Sequence, residues 1–244
     1  MRIVVVYKWA RDPEAASVRA DGSIDWRGAK MTPGEDDPAA LAVATAIASR
    51  TGAEILGVTI GDGDPSWILA RGVTETLSVP DAGPCTDDAI TGRVLAAAIR
   101  RLGDVDVVLI GDPGDATVVP GALAGALGVP AVLGLASADV EGDRIVAVRR
   151  AGSAEQRITV DTPVVLGVAA EGEEKKVPGM KEMLMARKRP VTTVALADLG
   201  VETDDRLAMV ASRAPEDVSA TVFGGDPAGA ARELVSALRA EGVL

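Results

Sequence analysis

The chain has 244 residues, of which 48% are hydrophobic and 25% charged, enough for one large α/β domain or a domain with an appendage. The absence of histidine disfavours hydrolytic and metal chemistry, and the formal charge of −11 argues against a nucleic-acid partner. The single cysteine, Cys85, excludes an internal disulfide framework, and no segment resembles a secretory signal or membrane span, so we expect a cytoplasmic protein without membrane insertion.

The first half of the chain alternates apolar strands with helices of crossover length. Residues 87–102 give the clearest helical pattern, with Ile90, Val94 and Leu95 on one face. We therefore expect an α/β fold with a doubly wound, mostly parallel Rossmann-like sheet. The predicted elements are a strand at 2–8, a hairpin turn at 21–22, a helix at 37–50, a strand at 54–61, a helix from 64 or 66 to about 72, a strand at 76–79, a helix at 87–102, a strand at 105–110, a helix at 117–127 and a strand at 130–135.

The pattern changes after about Ser137. Residues 144–148, 156–160 and 164–168 are predicted to form short consecutive strands, as a β-hairpin added to the sheet. From Val191 the core signal is weak until an amphipathic helix near the carboxyl terminus. We expect residues 1–190 to form the α/β domain and residues 191–244 an arm that lies on this domain or on another chain.

Three of the six methionines lie close together at Met180, Met183 and Met185, beside the basic run 187–189. Flexible thioether side chains are typical of surfaces that contact partners, so this stretch predicts a docking helix. The alternative is an ordinary surface helix that packs its methionines inward. The basic run either steers acidic partners or is a solvated cluster that complements the helix carboxyl terminus.

The loop after the strand at 105–110 has features of a phosphate site. It opens a helix, so the backbone N–H groups of Thr117, Val118 and Val119 could face a phosphate, and Gly111 would allow close approach. Carboxylates oppose this, and neither segment that carries them contains a lysine. A bound AMP and a crevice without nucleotide therefore both remain open. The carboxylates are Glu35, Asp36, Asp112 and Asp115.

These segments together resemble the β subunit of electron transfer flavoprotein over essentially the whole chain. The opening strand followed by Asp12-Pro13, the helix start at Asp37, and the strand and helix around Gly111 are each similar to the family's pattern. The most specific match is Ala-Arg-Lys-Arg-Pro-Val at 186–191, which follows the family's Ala-Lys-Lys-Lys-Pro nearly residue for residue. The chain departs from the family at 34–36, where Gly-Glu-Asp replaces Asn-Pro-Phe, which indicates a divergent member.

The resemblance implies a fold of the adenine-nucleotide α-hydrolase type and a heterodimer with an α subunit. That subunit would hold most of an FAD, and the arm at 191–244 would contact it. The resemblance implies an electron carrier, not an enzyme with its own substrate chemistry, that accepts electrons from an acyl-CoA-dehydrogenase-like or other flavin dehydrogenase. A quinone reductase or another acceptor would receive them, and this chain would bury a structural AMP.

The resemblance also implies site residues, with no catalytic or metal-ligating set. Cofactor-binding positions would be Val6, Asp37, Gly61, Gly111, Asp115, Thr117, Val118, Val119 and Arg149. A recognition loop at about 171–190 would contact the partner dehydrogenase through Met180 as the anchor, with Met183, Leu184, Ala186, Arg187 and Lys188. The alternative is a stand-alone adenine-nucleotide-binding module of the same fold that acts as a homodimeric sensor, and fold alone does not separate the two.

Overall fold

The computed structural model describes residues 1–61, 63–83, 87–112, 118–169, 178–204, 207–208, 210 and 220–244. In these residues the strands are β1 (Arg2–Val6), β2 (Trp9–Arg11), β3 (Ser17–Val18), β4 (Ile24–Asp25), β5 (Met31–Pro33), β6 (Glu54–Ile60), β7 (Glu75–Val79), β8 (Val107–Gly111), β9 (Ala131–Leu135), β10 (Ser137–Glu141), β11 (Arg144–Ala151), β12 (Ala154–Val160), β13 (Val164–Val168) and β14 (Val191–Thr193). The helices are α1 (Asp37–Thr51), α2 (Ser66–Leu69), α3 (Asp88–Arg100), α4 (Val118–Leu127), α5 (Met180–Ala186) and α6 (Pro227–Ala240).

A seven-stranded parallel sheet forms the centre of the fold, in the order β14-β7-β6-β1-β8-β13-β9. The chain builds outward from β1 to β6 and β7, and then returns to place β8 on the other side of β1. This reversal is the topological switch point, where ligands of open α/β sheets bind outside the carboxyl ends of the strands. The predicted doubly wound, Rossmann-like α/β fold is confirmed.

Both faces of this sheet are covered, which explains why its interior strands β1, β8 and β13 carry apolar side chains or glycine at almost every position. On β1, Ile3 and Val5 belong to the core cluster that contains the buried side of α1. Val4 and Val6 belong to the second cluster, with the buried residues of α3 and α4. A strand between two helical layers has no face exposed to water, so its sequence does not alternate between apolar and polar residues.

The strands after Ser137 differ from their predicted arrangement. The hairpin of β11 and β12 does not extend the main sheet but forms a separate antiparallel sheet with β10, in the order β10-β11-β12. The strand at 164–168 is not part of this group, because β13 lies inside the parallel sheet between β8 and β9. All five residues of β13 are buried, as expected for an interior parallel strand and not for a hairpin strand with one solvated face.

The segment after residue 190 begins by extending the main sheet. Strand β14 pairs in parallel with β7, and the Thr76 amide donates to the Pro190 carbonyl oxygen at 3.1 Å. By its internal contacts the chain divides into one unit of Met1–Ser17 with Asp25–Val210 and another of Val18–Ile24 with Ala211–Leu244. The division expected at residue 190 thus falls inside the first unit.

Helix α6 belongs to the second unit and has no buried residue. The Asp226 carboxylate caps it by accepting a hydrogen bond from the Gly229 amide at 2.9 Å, and Pro227 occupies its first turn. Leu234 and Val235 are 45% and 37% exposed. Among the described residues, no helix is both long enough and apolar enough to cross a bilayer.

Candidate functional site

Three of the predicted cofactor positions meet at the carboxyl edge of the parallel sheet. Val6 ends β1 and is buried, and its neighbour in register on β8 is Ile110, which precedes Gly111. Gly61 follows β6 directly and has a φ of 80°, a conformation that favours glycine. The edge around β1 and β8 is the switch point, so the structure brings these positions to the place where a ligand would be expected.

The start of α1 lies directly against the end of β8. A Cβ atom at Gly111 would stand 3.0 Å from both the Asp36 Cβ and the Asp37 Oδ1. A Cβ at Gly34 would stand 2.9 Å from the Asp37 Oδ2. Both glycines are therefore required for close packing around Asp37, which gives Gly111 a structural role at this edge.

Asp37 is a buried clamp between the end of β1 and the start of α1. Its Oδ2 accepts hydrogen bonds from the backbone amides of Lys8 at 2.7 Å and Gly34 at 2.9 Å. Burial raises the pKa of Asp37 from its ordinary value of 3.8 to about 7, against the opposing effect of these two hydrogen bonds and the Lys8 charge. The Oδ2 atom of Asp37 therefore holds the end of β1 and the start of α1 together.

Asp112 and Arg149 are also tied to neighbouring strands. The Asp112 Oδ2 accepts a hydrogen bond from the Gly134 amide at 2.7 Å, which links the end of β8 to β9. The Arg149 Nε donates to the Gln156 Oε1 at 2.8 Å, and its Nη1 lies 3.5 Å from the Leu133 carbonyl oxygen. Arg149 thus holds the β11–β12 hairpin near β9, a role that no local sequence pattern indicates.

The predicted phosphate loop is described at its two ends but not at residues 113–117. Val118 is exposed and Val119 buried in the first turn of α4, while Asp115 and Thr117 lie outside the described residues. The third residue of α4 is Pro120, which lacks an N–H group and so removes one donor from this turn. Three carboxyl groups, those of Asp36, Asp37 and Asp112, lie at this edge.

The described part of the edge therefore does not fit the phosphate of an AMP. It also offers a flavin no exposed stacking surface. All five aromatic residues of the chain lie in the described segments, and none of them is exposed. Tyr7 is buried under α2, and Trp9 is half-buried on β2. These residues do not form a complete flavin site on their own.

Helix α5 presents the predicted docking residues to solvent. Met180 is 82% exposed, and Met183, Leu184 and Met185 are between 43% and 56% exposed. The alternative in which the methionines pack inward is therefore wrong. The Glu182 carboxylate accepts a hydrogen bond from the Gly179 amide at 2.7 Å, which completes the first turn of the helix.

The residues at the end of α5 have different roles from one another. Ala186 was expected to contact the partner, but it is 1% exposed and belongs to the core cluster beneath α5, so it anchors the helix. Arg187 and Lys188 are exposed, as a docking or steering role requires. Arg189 is half-buried, and its Nη1 donates to the Leu69 carbonyl oxygen at 2.6 Å and to that of Val73. Sequence reasoning missed this contact, because its partners are 116 and 120 residues away.

Comparison with known proteins assigns this arrangement to a family. Residues 26–199 match the family model of the electron transfer flavoprotein domain, which is more than two thirds of the chain. The electron transfer flavoprotein subunit beta of Mycobacterium leprae (strain TN) is 30% identical over 141 residues, which cover 56% of this chain and 53% of the relative. The subunits of the same name from Mycobacterium bovis (strain ATCC BAA-935 / AF2122/97) and Mycobacterium tuberculosis (strain ATCC 25618 / H37Rv) are 29% identical with the same coverage.

The match spans about half the length of these curated relatives. The family match covers every element from α1 to β14, and so includes both the carboxyl edge and α5. The chain belongs to the electron transfer flavoprotein family, as a divergent member similar to its β subunits.

Proposed function

We propose that this chain is the β-type subunit of a heterodimeric electron transfer flavoprotein. It would accept electrons from a flavin dehydrogenase through an FAD held mainly by an α subunit, and pass them to a quinone reductase or another acceptor. The FAD would supply the redox chemistry, while this chain supplies contacts and positioning. The single cysteine and the acidic surface are in keeping with a cytoplasmic location.

The exposed apolar row on α5 carries this proposal. Met180, Met183 and Leu184 have the spacing i, i+3, i+4 and therefore lie on one helix face, with Arg187 one turn further along it. These large side chains stay in water although Ala186, on the same helix, is buried. A few apolar anchors that become desolvated in a partner's pocket commonly dominate the binding energy of such contacts.

Substitution of the anchor tests the docking surface. With a purified acyl-CoA dehydrogenase, reduced by its acyl-CoA, as the electron donor, Met180→Ala should lower the second-order rate of electron transfer about tenfold or more. Lys181→Ala, an exposed neighbour outside the apolar row, should leave the rate unchanged. An unchanged rate in Met180→Ala with every donor that reduces the wild-type heterodimer would contradict the proposal.

The carboxyl-terminal unit supports the heterodimer. Helix α6 has no buried residue, and its apolar residues Leu234 and Val235 are exposed. This is expected of a helix whose apolar side becomes buried when it packs against an α subunit. Co-expression with an α-type chain should yield a yellow complex with a flavin absorption spectrum. Leu234→Glu should reduce the yield of this complex, whereas Ser236→Glu, which lies on another side of the helix, should not.

The alternative function is that of a homodimeric nucleotide sensor, and the charges at the carboxyl edge argue against it. The three carboxyl groups there disfavour a nucleotide phosphate, and the exposed row on α5 has no part in sensing a nucleotide. We expect acid extraction of the purified heterodimer to release flavin but no stoichiometric AMP. A stable homodimer that binds ATP or AMP and ignores every α-type chain would favour the sensor instead.

A further inference from the structure

The chain that leaves α5 is fastened to α2 and to the sheet. The Arg189 guanidinium donates hydrogen bonds to two carbonyl oxygens. One belongs to Leu69, the last residue of α2, and the other to Val73, just before β7. One residue later the Pro190 carbonyl accepts the Thr76 amide at 3.1 Å, and β14 then pairs with β7. The carboxyl end of α5 therefore cannot move without breaking contacts to the main domain.

Arg189 is suited to this position by both charge and geometry. Carbonyl groups at the carboxyl end of a helix carry partial negative charge, and a guanidinium offers several donors in a rigid planar group. Hydrogen bonds from a charged donor to such carbonyls are about twice as strong as neutral ones. The two bonds from Arg189 therefore tie the end of α5 both to the last residue of α2 and to the residues just before β7.

The receiving helix is itself held firmly. The Arg71 guanidinium lies 4.9 Å from the centre of the Trp67 ring and donates to the Trp67 carbonyl oxygen at 2.7 Å. Ile68 and Leu69 of α2 are buried in the same core cluster as Ala186. Helix α2 is therefore a fixed platform, against which Ala186 sets the depth of α5 and Arg189 fixes its end.

We propose that Arg189 is a positioning residue for partner recognition, which holds α5 so that Met180, Met183 and Leu184 face outward as one row. Arg187 and Lys188 point to solvent beside it and have no such role. The proposal rests on the docking function proposed above. It predicts that loss of the Arg189 bonds loosens α5 without disturbing the sheet, and so weakens docking while the docking residues themselves remain intact.

Hydrogen exchange of this chain in its heterodimer tests the role of Arg189 without any dehydrogenase. In Arg189→Met, the amides of residues 183–189 should exchange about tenfold faster than in the wild type, the factor that corresponds to a loss of about 1.4 kcal/mol. Amides of β1 and β8 should exchange at the wild-type rate. Arg189→Lys, which retains a cationic donor, should recover part of the protection. Lys181→Met is the matched control: it removes one exposed charge from α5 and should leave the exchange rates unchanged. Wild-type exchange throughout α5 in Arg189→Met would overturn the proposal.

Steady-state electron transfer from the acyl-CoA dehydrogenase separates positioning from general damage. Arg189→Met should raise the KM for the heterodimer about tenfold and leave kcat within about twofold, because it weakens docking and not the redox step. Faster exchange with an unchanged KM in Arg189→Met, while Met180→Ala raises the KM, would overturn the link to recognition. An unchanged KM in Met180→Ala itself would instead overturn the docking function proposed above.

Discussion

The carboxyl edge of the sheet and helix α5 were both predicted as functional sites, but they are built in opposite ways. At the edge, the carboxylates of Asp37 and Asp112 accept backbone N–H groups, and Gly111 lets α1 close over the end of β8. On α5, the large apolar side chains of Met180, Met183 and Leu184 are exposed to solvent and do not pack into the core. Polar groups that are satisfied within the fold serve stability, whereas exposed apolar groups in a row indicate a contact with another molecule.

The largest effect on stability is expected at Gly111. In Gly111→Ala the new methyl group would stand 3.0 Å from Asp36 and Asp37, so either the start of α1 or the end of β8 must shift. We expect a loss of about 3 kcal/mol in the free energy of unfolding, measured with urea. Gly121→Ala in α4 is the matched control, since its methyl group would meet no atom within 4 Å, and it should be neutral or stabilising. Equal stability of the two variants would mean that the edge is open enough for a ligand.

The next effect is a pH dependence that arises from Asp37. Because burial raises its pKa from 3.8 to about 7, the native state binds this proton more tightly than the unfolded state does. This group's contribution to stability is therefore complete below pH 4 and declines as the pH rises towards 7. Asp37→Asn keeps an oxygen for the Lys8 and Gly34 amides and cannot ionise.

We therefore expect Asp37→Asn to match the wild type at pH 4 and to be more stable than the wild type at pH 8. Urea unfolding at both pH values measures this difference, and comparison of the two proteins cancels the titration of all other carboxyl groups. A variant that is less stable than the wild type at pH 8 would show that the two N–H donors stabilise the carboxylate more than burial destabilises it. Asp37 would then be an ionised group held by backbone donors within the fold.

A smaller effect is expected at Asp112. Asp112→Ala removes the acceptor of the Gly134 amide and should lower the free energy of unfolding by about 1 kcal/mol. Asp112→Asn retains an oxygen acceptor and should remain close to the wild type. Asp143→Ala, at an exposed turn, removes the same charge and should have no effect. If Asp112→Ala is instead neutral and confers binding of AMP in an equilibrium dialysis assay, the carboxylate serves to exclude phosphate and not to hold β9.

Local sequence patterns predicted the parallel sheet and the exposure of the methionines on α5, because strand apolarity, helix periodicity and methionine placement are all read within a few residues. They did not predict where β13 lies, since an apolar strand does not specify its neighbours. They also could not show that Arg189 bonds to α2, that Asp112 bonds to Gly134, or that Ala186 is buried. Each of these depends on residues far apart in the chain that the fold brings together.

The smallest expected effect on stability is on the exposed face of α5, and it is the most informative about that helix. Met180→Ser and Met183→Ser remove apolar side chains that contact water, so the free energy of unfolding should change by no more than about 0.5 kcal/mol. Ala186→Met introduces a large side chain at a buried position of the same helix and should cost about 1–3 kcal/mol.

Urea unfolding of these three variants compares the two sides of one short helix. The exposed side can then differ in sequence without penalty to folding, so any loss of electron transfer in Met180→Ser must arise from contact with a partner and not from a damaged fold. If Met180→Ser were as destabilising as Ala186→Met, the methionine would be part of the core in solution. Helix α5 would then resemble the carboxyl edge, with its side chains used by the fold, and the docking surface would have to lie elsewhere.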